Sequence, residues 1–146
     1  MRYIILLVIL IIGFSFGLSK VRLYDKSGNE VPLPQDKIII LNFMAYSCRY
    51  CMAEIPIFKK VLKEPEFKDK FVIYGFALDG KENNFQDRNF PIYANNPNNN
   101  VLFPTMGTPT TYIISPSGRK LLTIYGAVTE ENLRKFLKET LKKVNN

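Results

Sequence analysis

Residues 38 to 56 read IIILNFMAYSCRYCMAEIP and carry both cysteines of the chain, Cys48 and Cys51. The run Ile38-Ile39-Ile40-Leu41 is β-branched and apolar, the composition of a strand buried on both faces of a sheet. From Arg49 to Leu62 the apolar spacing changes to that of a helix, with Ile55, Phe58, Val61 and Leu62 on one stripe. Cys48-Arg49-Tyr50-Cys51 therefore sits where a strand hands over to a helix. At a helix start the unpaired backbone N–H groups and the helix dipole stabilise a thiolate, and the second thiol lies one turn further in. Such a dithiol exchanges disulfides through a mixed disulfide, Cys48 attacking and Cys51 resolving. Pro56 removes the hydrogen bond that its N–H would have made to the carbonyl of Met52, which predicts a kink one turn past Cys51.

Outward from this stretch, Val21–Tyr24 and Val31–Leu33 flank Ser27-Gly28-Asn29 and read as two short strands about a turn. Phe71 to Ala77 is a second buried strand, and the intervening helix makes it parallel to the first in a right-handed βαβ unit. Lys81 to Asn89 reads as a short helix, and Tyr93 to Asn100, with five asparagines and a proline, as a polar loop. Thr110–Ile114 and Lys120–Tyr125 form a hairpin about Ser115-Pro116-Ser117-Gly118. Thr129 caps a last helix with Leu133, Phe136, Leu137, Leu141 and Val144 on one face.

The chain has 146 residues, 47% of them apolar and 23% charged, enough for one packed domain. Its formal charge is +7, but the lysines of 59–70, 119–120 and 134–143 are interleaved with acids, which describes a solvated basic surface with no nucleic-acid partner, open to some attraction to anionic lipid or acidic partners. Residues 1–19 form a separate targeting segment: Met1-Arg2, an aliphatic run from Tyr3 to Ile12, then the small residues Gly17 and Ser19. Two readings fit it, a cleaved secretory signal peptide and a short uncleaved membrane anchor. Both put residues 20–146 outside the cytoplasm, periplasmic or otherwise extracytoplasmic, where a C-x-x-C pair works against oxidising surroundings. No cysteine lies near the cleavage site to carry a lipid.

The chain contains no histidine. Two cysteines alone fall short of a zinc site, haem attachment lacks its histidine because Met52 follows Cys51, and Cys–His hydrolysis has no base. What remains for the pair is thiol exchange or an inert structural disulfide.

Asn42-Phe43-Met44-Ala45-Tyr46-Ser47-Cys48-Arg49-Tyr50-Cys51, with Glu54 and Pro56 behind it and Gly107-Thr108-Pro109-Thr110-Thr111-Tyr112 far downstream, resembles the thioredoxin superfamily, and within it the TlpA/ResA-like envelope branch. The resemblance covers roughly residues 21 to 143. It departs from the family where Met44 and Ser47 replace tryptophans and Tyr50 replaces a proline. It implies an α/β thioredoxin fold, a central mixed β-sheet flanked by helices with an extra N-terminal β-hairpin. It also implies a cis Thr108-Pro109 bond beside the cysteines and a Cys48-Cys51 disulfide in the oxidised form. Glu54 would stand near the dithiol, where its charge disfavours a second anion and it relays a proton, whereas Arg49 beside Cys48 favours the thiolate. Asn42 stands where cytosolic thioredoxins carry a buried aspartate. Thr108, Pro109, Arg49, Tyr50 and Tyr46 would contact substrate, with Met44 helping to frame an apolar surface.

The family implies a monomeric oxidoreductase that needs no cofactor and no metal. It would reduce disulfides of exported proteins such as apocytochrome c and be recharged by a membrane thiol-disulfide electron donor. An envelope oxidant or sulfur-metabolism thioredoxin, and a redox-inert binding module, are the other two classes the sequence admits.

Overall fold

The computed structural model describes residues 21–85 and 87–146. The targeting segment expected over residues 1–19 lies outside them, and among the described residues no helix is long and apolar enough to cross a membrane.

The expected central strand is β1, Ile38–Met44, buried along its whole length. Helix α1, Arg49–Val61, follows it and continues through Pro56. The chain then returns in β2, Phe71–Ala77, parallel to β1 from Ile38↔Phe71 to Met44↔Ala77. Strand β3, Ile92–Ala94, lies parallel on the outer side of β2 and is followed by a one-turn helix α2, Asn99–Leu102. The hairpin of β4, Thr110–Ile114, and β5, Lys120–Tyr125, extends the sheet on the other side, β4 running antiparallel to β1. Helix α3, Glu130–Val144, closes the domain, and Thr129 caps it by accepting from the Asn132 N–H, as expected. The sheet order is β3-β2-β1-β4-β5.

The alternation of β1 divides the core. Ile38, Ile40 and Met44 face α1 and α3 in one apolar cluster with Phe58, Val61, Leu133 and Leu137. Ile39, Leu41 and Phe43 face the opposite layer, packed with Leu23, Val31, Phe76, Phe103 and Tyr112. By the same period of two, Asn42 falls on the α1 face, in register with Gly75 and Thr111. On the last helix Leu133 and Leu137 are buried, Phe136 and Leu141 pack at the margin, and Val144 is exposed.

Three expectations change. The N-terminal hairpin exists as one antiparallel bridge, Tyr24↔Glu30, closed by the Val31 N–H donating to Leu23, with Gly28 at φ 89° in the turn. The described residues of Lys81 to Asn89 form no helix; Asn84 makes an antiparallel bridge with Ile92. The asparagine-rich stretch is not a plain surface loop, because it contains the end of β3 and the start of α2. Its amides stitch the N-terminal segment to the sheet. Asn99, buried, accepts from the Tyr24 N–H at 2.9 Å and donates to the Tyr24 carbonyl at 2.8 Å. Asn96 donates to the Asp25 carbonyl, and the Lys26 N–H donates to Ala94. An asparagine side chain offers a donor and an acceptor in the same spacing as a peptide group, so Asn99 completes a strand-like pairing where no strand runs.

Asn99→Ala leaves both Tyr24 backbone groups without these partners and should lower stability by about 1–3 kcal/mol in urea unfolding. Asn98→Ala, one position along and exposed, should change it by less than about 0.5 kcal/mol.

Candidate active site

The end of β1 releases the chain into Ala45-Tyr46-Ser47, and α1 begins directly after Cys48. The turn between them is held by Asp79, just past β2, whose carboxylate accepts from the Tyr46 N–H at 2.8 Å and the Ser47 N–H at 3.1 Å. Those two donors, Tyr46 first, hold the Asp79 carboxyl below its ordinary pKa. Cys48 is thereby set as the N-cap of α1, in extended backbone conformation, with its Sγ accepting from the Cys51 N–H at 3.2 Å. The first turn of α1 carries no acid, unlike that of α3 with Glu130 and Glu131. The partial positive charge of the α1 N-terminus thus acts on the cysteine sulfur without a competing carboxylate in that turn.

Cys48 and Cys51 form a disulfide, with Cα atoms 5.2 Å apart. Cys51 is fully buried and Cys48 is only partly so. Exposure and helix position therefore both favour Cys48 as the sulfur that meets an incoming partner. Thr108 and Pro109 arrive from the far side of the sheet, their bond is cis, and the Thr108 carbonyl lies 3.6 Å from Cys48 Sγ. This loop is fixed by Thr110 Oγ1 donating to Gly107 at 2.6 Å and by the Gly126 N–H donating to Pro109 at 2.9 Å.

Glu54, three residues past Cys51 on α1, is 1% exposed. Its Oε1 accepts from Asn42 Nδ2 at 2.8 Å and its Oε2 from the Val128 N–H at 3.1 Å. Burial raises its pKa above the usual glutamate value, and the two donors offset only part of that rise. Asn42 Nδ2 also donates to Thr111 Oγ1 at 3.0 Å, while Asn42 Oδ1 is buried without a partner.

Tyr46, Arg49 and Tyr50 are exposed around Cys48, Tyr50 at 71%. Met44, expected to help frame that surface, is fully buried in the α1-side core. Alternation explains the correction, since Met44 shares its face with Ile38 and Ile40. Two contributors escaped the sequence reading. Asp79 gives no signal beyond being an acid after a strand, and Met106, 95% exposed just before Gly107, belongs to no periodic pattern. Among the described residues no group of three His, Cys, Asp or Glu side chains is arranged to hold a metal ion.

Residues 24–141 match the family model of the thioredoxin-like domain. The thiol-disulfide oxidoreductase ResA of Oceanobacillus iheyensis is 32% identical over 123 residues, 79% of this chain and 63% of that protein. The thioredoxin-like protein YneN of Bacillus subtilis is 27% identical over 110 residues, 69% of this chain and 64% of its own. The chain thus spans a little under two thirds of the length of these two relatives. Among solved structures, StoA from Bacillus subtilis superposes with a TM-score of 0.60 at 18% identity, covering 82% of this chain and 97% of its own. The pneumococcal exposed lipoprotein thioredoxin from Streptococcus pneumoniae gives 0.60 at 19% identity over 83% and 99%. At these identities the structures speak for the fold.

Because the Glu54 pKa is raised on folding, the native state holds this proton at pH values where the unfolded chain has lost it. The stability it contributes is present below the unfolded value, 4.5, and is lost as pH rises through the folded one. In the oxidised protein, Glu54→Gln should flatten this decline. Urea midpoints measured upward from pH 4.5 should fall for the wild type and change less for the variant; parallel curves would contradict a raised Glu54 pKa.

Proposed function

The chain belongs to the thioredoxin-like domain family, and from that membership we propose that it is an extracytoplasmic thiol-disulfide oxidoreductase working through Cys48 and Cys51. The observation that carries this reading is the half-exposed Cys48 at the N-terminus of α1, bonded to a buried Cys51 and facing the Thr108 carbonyl of a cis Thr108-Pro109 pair. In the reductive direction the Cys48 thiolate attacks one sulfur of a substrate disulfide and forms a mixed disulfide. The other substrate sulfur leaves as a thiolate. Cys51, losing its proton, then attacks Cys48 Sγ, and the second substrate sulfur leaves in turn. The Cys48–Cys51 disulfide remains and the substrate carries two thiols, two electrons having passed to it.

Glu54 is the nearest candidate to accept the Cys51 proton, being three residues along the same helix and buried with a raised pKa. Ionised, it would disfavour a thiolate at Cys51. Thr108 and Pro109, with the exposed Tyr46, Arg49 and Tyr50, would meet the substrate chain. Disulfides of exported proteins, apocytochrome c among them, are the substrates in this reading, and a membrane thiol-disulfide donor restores the dithiol. The names of its relatives, thiol-disulfide oxidoreductase ResA in particular, support the reaction class.

Reduction of insulin with dithiothreitol as electron source should be accelerated by the wild type and abolished by Cys48→Ser; a wild type no faster than dithiothreitol alone would leave an inert binding module. The reduction potential assigns direction, a value towards the negative end of the roughly −270 to −120 mV span of such proteins marking a reductant.

On the reduced protein, iodoacetamide should label Cys48 at least about tenfold faster than Cys51, as burial and helix position together require. Cys51→Ser should accumulate mixed disulfides in its native host that Cys48→Ser does not. Faster labelling of Cys51 would reverse the roles of the two thiols.

A further inference from the structure

The end of the domain opposite the dithiol has its own chemistry. β1 starts after Lys37 at this base and ends before the turn that leads to Cys48, so its seven residues separate the two ends by about 20 Å. Lys70 precedes β2, which starts in register with β1, and its carbonyl accepts from the Ile38 N–H. Lys63 and Lys68 line one groove with Lys37. β4 runs antiparallel to β1, which returns the Ser115–Arg119 turn to the same end. The C-terminus of α3 is tied there too, Arg119 donating to the Lys143 carbonyl and Lys143 Nζ to the Leu121 carbonyl.

The base therefore gathers Lys37, Lys63, Lys68, Lys70, Arg119 and Lys142, all exposed except the half-buried Lys37, with Lys143 beside them. Glu64 and Glu66 are taken up by Arg134 and Lys138. Asp36 and Asp69 also stand at this end, Glu139 lies 3.8 Å from Lys143, and Glu30 faces Arg22 at 3.9 Å in the neighbouring groove. This groove, of about 700 Å³, has a wall that mixes apolar residues, Val21, Leu33 and Ile39 among them, with Arg22, Glu30 and Gln35. Val21 packs against the turn at Gly118, where an added Cβ would meet Val21 Cγ2 at 2.8 Å. Val21 is also where the chain connects to Lys20, Ser19 and the aliphatic run from Tyr3 to Leu18.

A cationic end beside a partly apolar groove, at the residue that follows an aliphatic segment in the sequence, is complementary to a surface with anionic headgroups over a hydrocarbon interior. We propose that this base docks on an anionic phospholipid bilayer, directing Cys48 and the Thr108-Pro109 loop away from it towards soluble partners. Each cation held within a Debye length of such a surface strengthens attachment by about fivefold, and salt weakens it. The docking is independent of the thiol chemistry, so it stands or falls without the insulin assay.

The test uses the full chain mixed with vesicles of phosphatidylcholine alone or with added phosphatidylglycerol, and reads lysine acetylation rates by mass spectrometry. Lys81, exposed and on the dithiol side of β2, is the internal reference. Phosphatidylglycerol should slow labelling of Lys63, Lys68, Lys70 and Lys142 about fivefold or more relative to Lys81, and high salt should restore it. The combined Lys37→Gln, Lys63→Gln, Lys68→Gln and Lys70→Gln variant, checked for cooperative unfolding, should lose the protection of Lys142 and Lys143. Equal labelling in both vesicle types, or protection of Lys81 to the same degree, overturns the proposal. Protection by soluble polyphosphate or RNA without protection by vesicles overturns it as well and reassigns the surface to a polyanion.

Discussion

The buried hydrogen bond between Asn42 and Glu54 is the constraint around which the domain closes. A carboxyl taken from water without partners is costly, and this one is offset from several directions. The β1 amide reaches one oxygen, and the backbone of Val128, between β5 and α3, reaches the other. Thr111 of β4 holds the amide in turn. Sheet, redox helix and the approach to the last helix therefore meet at one polar point inside an apolar layer. Its lack of full satisfaction is informative, since Asn42 Oδ1 has no partner. A protonated Glu54 could donate to that oxygen if the amide turned over, whereas an ionised Glu54 needs the amide nitrogen as it now lies. The contact can accommodate either charge state of the carboxyl, which a pair with a lysine or arginine could not.

Much of this was legible from residue types. The β-branched run at 38–41, the change of apolar period after Cys48, the second buried strand and the 110–125 hairpin each carry a local pattern, and each became the expected element. The cysteine pair and the Thr108-Pro109 pair were readable because two spaced motifs fit one family, though 60 residues separate them in the chain. Glu54 was readable as a position near the dithiol but not as a buried group. A glutamate on a helix is ordinarily solvated, and only the β1 alternation that puts Asn42 on the same face reveals its partner.

The misreadings have a common cause. Asparagine has low propensity for both strand and helix, so residues 93–100 looked like a loop, and Lys81–Asn89 was given a helix where Asn84 instead bridges to Ile92. Asn99 works by bonding to the backbone of Tyr24, 75 residues away, and no local window contains that contact. Asp79 is hidden for the same reason, because its value lies in two N–H groups some 32 and 33 residues upstream. Met44 failed in the opposite sense: it was grouped with Tyr46 by closeness in sequence, although the pleat sends it into the core.

The charge layout adds a constraint that single residues do not show. α1 has no acid in its first turn and Lys59 and Lys60 in its last, so its dipole is matched by side chains at the base and left open at the sulfur. α3 is matched at both ends, with Glu130 and Glu131 at its start and Lys142 and Lys143 at its finish. Adding an acid to the first turn of α1 would stabilise that helix in isolation. It would also place a negative charge beside Cys48 and raise the free energy of the thiolate. The unfilled N-terminus of α1 thus gives up helix stability where Cys48 sits.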